Sequence, residues 1–363
     1  MPSFCAVGYI WRLGNVRQSP PIWLMRYLKY FKIIFADHAK PGILVARSLG
    51  ILQRRFMVGI DCLAALDCLI WLRTGSRVAA RLNLDQSNVS RNSRRCADVF
   101  RVSLERRGSE WQLGGDLTLI NLQRQVHQLV RWRDHQQLRL DAQHWSGPLL
   151  CPSPPGGWIA GNFDFMEYHR PLQLLRDRVI DAWIASYPDV PGPDDPDVLA
   201  IPLSRMPALL VVKEGHPLLD LGDQVGFDDI AYYPFLPLPE GAFPVFQRVL
   251  EECGLWATFP QSFVEPPSWR GKSDIEDLLV CIATPLTMHL YGDSYRALPL
   301  RLPVQVGDAL VICREFVHYP QVKLLAEMLR RRIATVAADM DEVLILDHPT
   351  AGFLAGCEMN LDG

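Results

Sequence analysis

Nowhere in the 363 residues is there a run of 18 uninterrupted apolar side chains, so a membrane-spanning helix is not expected. The nine cysteines, at 5, 62, 68, 96, 151, 253, 281, 313 and 357, form no C-x-x-C pair. An odd, scattered set argues against a zinc ribbon or a disulfide framework. These cysteines read instead as small apolar core residues of a protein in a reducing, cytoplasmic compartment. Also missing are G-x-S-x-G, H-E-x-x-H, G-x-x-x-x-G-K-[ST] and G-x-G-x-x-G, so no catalytic residue, metal or cofactor is expected and the chain does not read as an enzyme. Net charge is scarce too, at −3, and as a total it points to no polyanionic partner.

What is there is a bulk composition ordinary for a soluble globular protein, 49% hydrophobic and 21% charged, with room for two or three domains. The charge is unevenly placed. Residues 1–56 carry nine Lys/Arg against Asp37 alone, and residues 57–110 carry nine Arg against six acids, which leaves about −14 for residues 111–363. A basic front and an acidic rear direct any polyanion to the front. Residues 1–56, with Trp23, Tyr27 and Phe35 among bases, fit either an interfacial anchor or an extension translated from a start codon placed too early. The second reading puts the first domain at 57–116.

Within 57–116 the pattern is helical. Leu63, Leu66, Leu69 and Ile70 fall on one face of a helix over residues 60–73. Thr74-Gly75-Ser76 breaks it, with Gly75 suited to a stop and Ser76 to capping the next helix. A helix over 77–82, a turn at Asn83-Leu84-Asp85 and a helix over 86–100 give helix-turn-helix spacing. In the last helix Val89, Cys96 and Val99 or Phe100 can face inward. That leaves Gln86, Ser87, Asn88, Ser90, Arg91, Arg94 and Arg95 outside. Short amides and hydroxyls reach base edges, Arg and Asn pair bidentately with guanine and adenine, and other arginines hold phosphates. A merely solvated polar face is the alternative, although Ser/Asn-rich sequence is poor helix material without a compensating use. Residues 100–113 alternate around Gly108 and read as a hairpin carrying Arg106 and Arg107.

Thr74-Gly75-Ser76, Ala79-Ala80-Arg81-Leu82-Asn83 and Gln86-Ser87-Asn88-Val89-Ser90-Arg91 together resemble the signature of LysR-type transcriptional regulators. Two departures stand out: about two residues are missing between Ser76 and Asn83, and Asp85 stands where the family commonly has Ser. The resemblance implies a multi-domain fold. Its parts are an all-α winged helix-turn-helix head, a long linker helix and an α/β two-lobed, periplasmic-binding-protein-like effector domain. The implied function is sequence-specific binding of double-stranded DNA under control of a small-molecule effector, as a homodimer or homotetramer and without a membrane partner. The alternative is a small-ligand-binding protein of the periplasmic-binding class that no longer binds DNA.

Residues 117–143 read as the linker. Leu119, Leu122, Val126 and Leu129 recur at steps of three, four and three, a coiled-coil seam, although a helix packed on its own head would show the same stripe. Pro- and Gly-rich Ser146–Gly157 marks a boundary, and residues 144–334 alternate apolar strands with helices, which predicts a largely parallel sheet. Expected strands lie at 149–151, 163–168, 179–185, 200–203, 208–212 and 309–313. Expected helices lie at 171–177, 245–253, 273–282 and 321–333. The stretches 174–184 and 211–218 resemble the LysR effector domain, except that only about ten residues separate the first strand from Phe163, where the family has a full helix. By position in such a cleft, Ser153, Trp269, Lys272 and Ser273 are candidate effector contacts, although each taken singly reads better as an ordinary loop residue. His216 reads as a turn residue before Pro217, Asp194-Asp195 and Asp228-Asp229 as solvated loop pairs, and residues 335–363 as a loosely ordered tail.

Overall fold

The structure is a computed structural model that describes residues 59–135, 137–236, 238–256 and 276–347. The basic stretch 1–56 therefore lies outside the described residues. Two compact units divide the chain, 1–57 and 58–363, and every described element belongs to the second.

Three helices open it: α1 (Ile60–Leu72), α2 (Gly75–Leu82) and α3 (Gln86–Phe100). Their boundaries follow local chemistry. Arg73 ends α1 in the left-handed region, and Thr74 caps α2, its hydroxyl accepting from the Arg77 N–H at 3.4 Å. The sequence pattern assigns those roles to Gly75 and Ser76. Gly75 instead opens α2, and a Cβ there would come within 3.2 Å of Gln86 Cγ, so the missing side chain lets α3 start close by. Asn83 closes α2 in the left-handed region, a conformation Asn tolerates better than most residues. An antiparallel hairpin comes next, β1 (Ser103–Arg107) and β2 (Glu110–Gly114), turning at Gly108 with φ +61°. The front segment is thus helical with a β-hairpin rather than purely α.

Helix α4 (Thr118–Asp134) is shorter than the assigned connector, because β3 (Leu138–Ala142) begins inside it. Leu-Arg-Leu-Asp-Ala alternates like a strand half-exposed to water, yet every residue of it is buried. The expected strand at 149–151 is part of a one-turn helix, α5 (Gly147–Leu150). Pro148 fixes φ in its first turn, and Leu150 and Cys151 donate to the Ser146 and Gly147 carbonyls at 2.8 Å.

The remaining elements are β4 (Trp158–Ala160), α6 (His169–Arg176), β5 (Ala182–Tyr187), β6 (Val198–Pro202), β7 (Ser204–Lys213), α7 (Phe227–Ile230), α8 (Pro244–Glu252), β8 (Cys281–Ala283), β9 (Tyr295–Cys313), α9 (Pro320–Val336) and β10 (Leu344–Ile345). They build a two-lobed α/β domain. In the first lobe β4, β3 and β5 are parallel, and the end of β9 joins β5 and β6 antiparallel. In the second, β7 pairs antiparallel with β8 and with the front half of β9. The sheet is mixed, not largely parallel, because the 19-residue β9 runs against its neighbours through both lobes. Residues 163–168 contribute only a single bridge, Phe165 to Gln143. The described part of 273–282 is a short 3-10 turn followed by β8. Within the tail the described residues include β10, which pairs with β7. One continuous apolar core runs from Leu63, Leu66 and Trp71 in α1 through Trp132 in α4 to Leu140, Trp183, Leu310 and Phe316 in the first lobe.

Candidate nucleic-acid interface and effector cleft

Helix α3 buries Val89, Ser93, Cys96 and Ala97 and turns a polar face outward. Gln86, Ser87, Ser90, Arg91, Arg94 and Arg95 are exposed there, and Asn88 is half-buried. Ser87, Ser90, Arg91, Arg94, Arg95 and Asp98 line one open depression, as spacings of three and four residues on a helix require. Asn88 Oδ1 accepts from Arg91 at 3.3 Å, which presets both side chains. Asp98, at the far end of this face, is a member that sequence reasoning misses. On the hairpin Arg106 and Arg107 are exposed. Arg106 lies over the Trp111 ring at 5.9 Å, and Arg107 is 3.6 Å from Glu105.

In the rear domain Ser153 is exposed, and its carbonyl accepts from the Arg332 guanidinium of α9. Trp269, Lys272 and Ser273 lie outside the described residues. With β3 as the first strand, the segment leaving its carboxyl end is Gln143–Ser146, and it holds polar groups that sequence reasoning misses. Ser146 Oγ and Gln143 Oε1 are buried without a hydrogen-bond partner. Trp145 Nε1 donates to Ser186 Oγ at 2.9 Å, and its ring centroid is 5.4 Å from that of Phe243, beside α8. Buried polar atoms are normally paired, and these two stand unpaired beside a strand end. The alternation of Leu138, Leu140 and Ala142 is the signal for this strand, and it is masked by its position at the end of the connector.

The lobes join where β6 passes into β7 and β9 crosses between them. Leu203 N–H donates to the Asp308 carbonyl at 2.9 Å, Asp308 N–H to Ser204 Oγ at 3.0 Å, and the Ser204 hydroxyl to Asp308 Oδ2 at 3.2 Å. Gly307 permits the approach: a Cβ there would stand 2.1 Å from the Ser204 carbonyl oxygen. Burial pushes the Asp308 carboxyl up to about 6, with the Ser204 hydrogen bond pulling the other way.

His216 is a turn residue, as expected. Its Nδ1 accepts from the Leu218 N–H and its Nε2 lies 3.1 Å from the Leu278 carbonyl. Of the two acidic pairs, Asp195 ties its loop to Arg176 and to the Val198 N–H, whereas Asp228 and Asp229 lie in α7 rather than in a loop, where Asp229 accepts from the Gly226 N–H. The seven described cysteines are free thiols and all but Cys253 are buried. Burial raises the Cys96, Cys151 and Cys281 thiols to about 12, leaving them protonated. Among the described residues no cluster of His, Cys, Asp and Glu gathers that could hold a metal ion, and no helix is long and apolar enough to cross a membrane.

Residues 162–334 match the family model of the LysR substrate binding domain. The rear two-lobed domain is thus similar to a LysR substrate binding domain. A full-length OxyR variant from Pseudomonas aeruginosa is 19% identical, over 76% of this chain and 98% of that one, with a TM-score of 0.46. A probable transcriptional regulator of the same organism is 12% identical over 78% and 98%, with a TM-score of 0.47. Full-length CbnR complexed with its target DNA is 14% identical over 76% and 99%, with a TM-score of 0.42. No curated protein matches the chain in sequence.

Proposed function

We propose that this chain is a LysR-type, sequence-specific DNA-binding transcriptional regulator controlled by a small-molecule effector. The observation that carries the reading is the outward face of α3. There amide, hydroxyl and guanidinium groups stand exposed together while the apolar side chains of the same helix are buried. In this reading α1–α3 and the β1–β2 hairpin are a winged helix-turn-helix. Gln86, Ser87, Asn88, Ser90 and Arg91 meet base edges in the major groove, and Arg94, Arg95, Arg106 and Arg107 hold phosphates. The effector binds between the lobes against Gln143, Trp145 and Ser146, with Ser153, Trp269, Lys272 and Ser273 as further candidates. For the effector to control the head, it must bind one arrangement of the lobes better than the other.

Helix α4 supports pairing of two chains, because it has two unlike faces. Arg124, His127, Gln128, Arg131 and Trp132 are buried in its own chain. The expected seam points outward, with Leu119 53%, Leu122 43%, Val126 38% and Leu129 44% exposed. A second copy of the chain is the natural cover for that stripe, and two linked heads gain effective concentration on DNA.

The test is gel shift across salt concentrations with genomic fragments selected by the chain itself. Arg91→Ala is expected to lower discrimination between selected and scrambled duplex by about 1–3 kcal/mol. Arg94→Ala weakens both alike and flattens the salt slope by about one ion. Arg91→Ala with undiminished discrimination overturns the reading. Asp85, exposed at the start of α3, favours the second reading of a ligand-binding protein without DNA function. That reading wins if the intact chain shows no salt-dependent DNA binding at all.

A further inference from the structure

The front helices are packed onto the first lobe of the same chain, and one contact in that packing is chemically unusual. Asp141 is the fourth residue of β3, two positions before the Gln143–Ser146 segment. Its carboxylate reaches α1, where the Trp71 indole Nε1–H donates to Oδ2 and the Ala142 N–H donates to Oδ1 at 2.8 Å. Asp141 and Trp71 are both buried. The slot that holds the carboxylate exists because Gly161 has no side chain: a Cβ there would stand 2.6 Å from Oδ2. The rest of the boundary ties the same two bodies. Arg73 lies over the Phe165 ring at 4.4 Å, Arg77 pairs with Asp164, and Arg81 donates to the Gly161 carbonyl at 3.0 Å. Arg170 of α6 reaches Glu110 of the hairpin at 3.2 Å.

We propose that Trp71 and Asp141 form a pH-responsive latch that holds the α1–α3 head against the first lobe of its own chain. The contact joins the helix that supports α3 to the strand that leads into the Gln143–Ser146 segment, so a change at either end is felt at the other. A buried carboxylate with two neutral donors is poorly compensated as an anion and well accommodated as an acid. Burial pushes Asp141 up to about 7; the hydrogen bonds from Trp71 and Ala142 pull it down, Asp164 adds to the rise and Arg73 opposes it. Of these neighbours, Asp164 is itself paired with Arg77. Cys151, at the end of α5, also senses the Asp141 charge and stays protonated. Because the folded value lies above the ordinary one, docking is fully supported in acid. Support is lost as pH climbs from about 4 through 7 and is constant above that. The latch concerns one chain and stands whether or not the head binds DNA.

The test is thermal unfolding and hydrogen exchange of the full chain at pH 4.5 and pH 8. Asp141→Asn keeps an acceptor for Trp71 and removes the charge, while its amide NH2 faces the Ala142 N–H at any pH. Its melting point relative to wild type should therefore be higher at pH 8 than at pH 4.5 by on the order of 5 °C. Trp71→Phe keeps the ring and removes the donor. At pH 8 it should speed exchange in α1–α3, corrected for intrinsic rates, while leaving the second lobe unchanged. An Asp141→Asn shift equal at both pH values overturns the latch. So does head exchange that ignores Trp71→Phe, a readout that decides the matter alone if Asp141→Asn does not fold.

Discussion

Two of the places where this chain buries carboxylates between packed bodies are built in opposite ways. At the junction of α1, α4 and the first lobe, Asp67 and Asp181 are gripped by arginine. Asp67 accepts from Arg124 at 2.8 Å, with Arg139 3.9 Å away. Asp181 accepts from both Arg131 nitrogens at 2.8 and 2.9 Å and from the Arg139 N–H at 2.9 Å. At the crossing between the lobes Asp308 has a serine hydroxyl instead. A charge network with complete partners is costly to open. An acid with one neutral partner is indifferent to small displacements and sensitive to its proton. The arginine network around Asp67 and Asp181 therefore resists opening, whereas the crossing answers to the Asp308 proton.

The strongest way to break that contrast is Asp67→Ala, which strands the Arg124 guanidinium in the interior. It is expected to cost about 3–5 kcal/mol, read as a lower urea midpoint at unchanged slope. A loss under about 1 kcal/mol puts the junction in water and ends the comparison. Next in size is Asp308→Asn. The Asp308 carboxyl sits at about 6 in the folded chain, above its ordinary value. Its contribution is therefore present in acid and lost as pH rises from about 4 through 6. The Asn variant should gain on the order of 2–3 kcal/mol over wild type at pH 8 and almost nothing at pH 4. A gain independent of pH means that Ser204 is not the sole partner. The smallest effect on the fold, under about 0.5 kcal/mol, is expected for Leu122→Glu on the outer face of α4. The same change should shift the chain toward monomer in sedimentation at matched concentration. An unchanged association state moves the pairing surface elsewhere.

Most of the front segment is legible in the sequence. The helix-turn-helix spacing and the polar side of α3 follow from local periodicity and from residues whose preferences are strong, such as Asn83 at a left-handed position. The hairpin is legible for the same reason, through Gly108. Tertiary context decides the rest. Arg139 and Asp141 look like the wet side of a strand or helix, and only the arrival of α1 over that side of β3 makes them interior. Placing the first strand at 149–151, one element too late, favours Ser153 over Ser146 as an effector contact. The antiparallel course of β9 is hidden because its first half alternates while its second half, Gly307–Cys313, is buried throughout, so the sequence reads as two segments.

Helix α4 has one side committed to its own core and four side chains left over. A lasting protein interface takes about 800 Å² from each partner, more than four half-exposed apolar residues can supply. Two copies joined through this helix alone would therefore part readily in dilute solution. Under the proposed function, close pairing would then be a property of the assembled site, with a duplex holding both copies in register and association strengthening as DNA is bound.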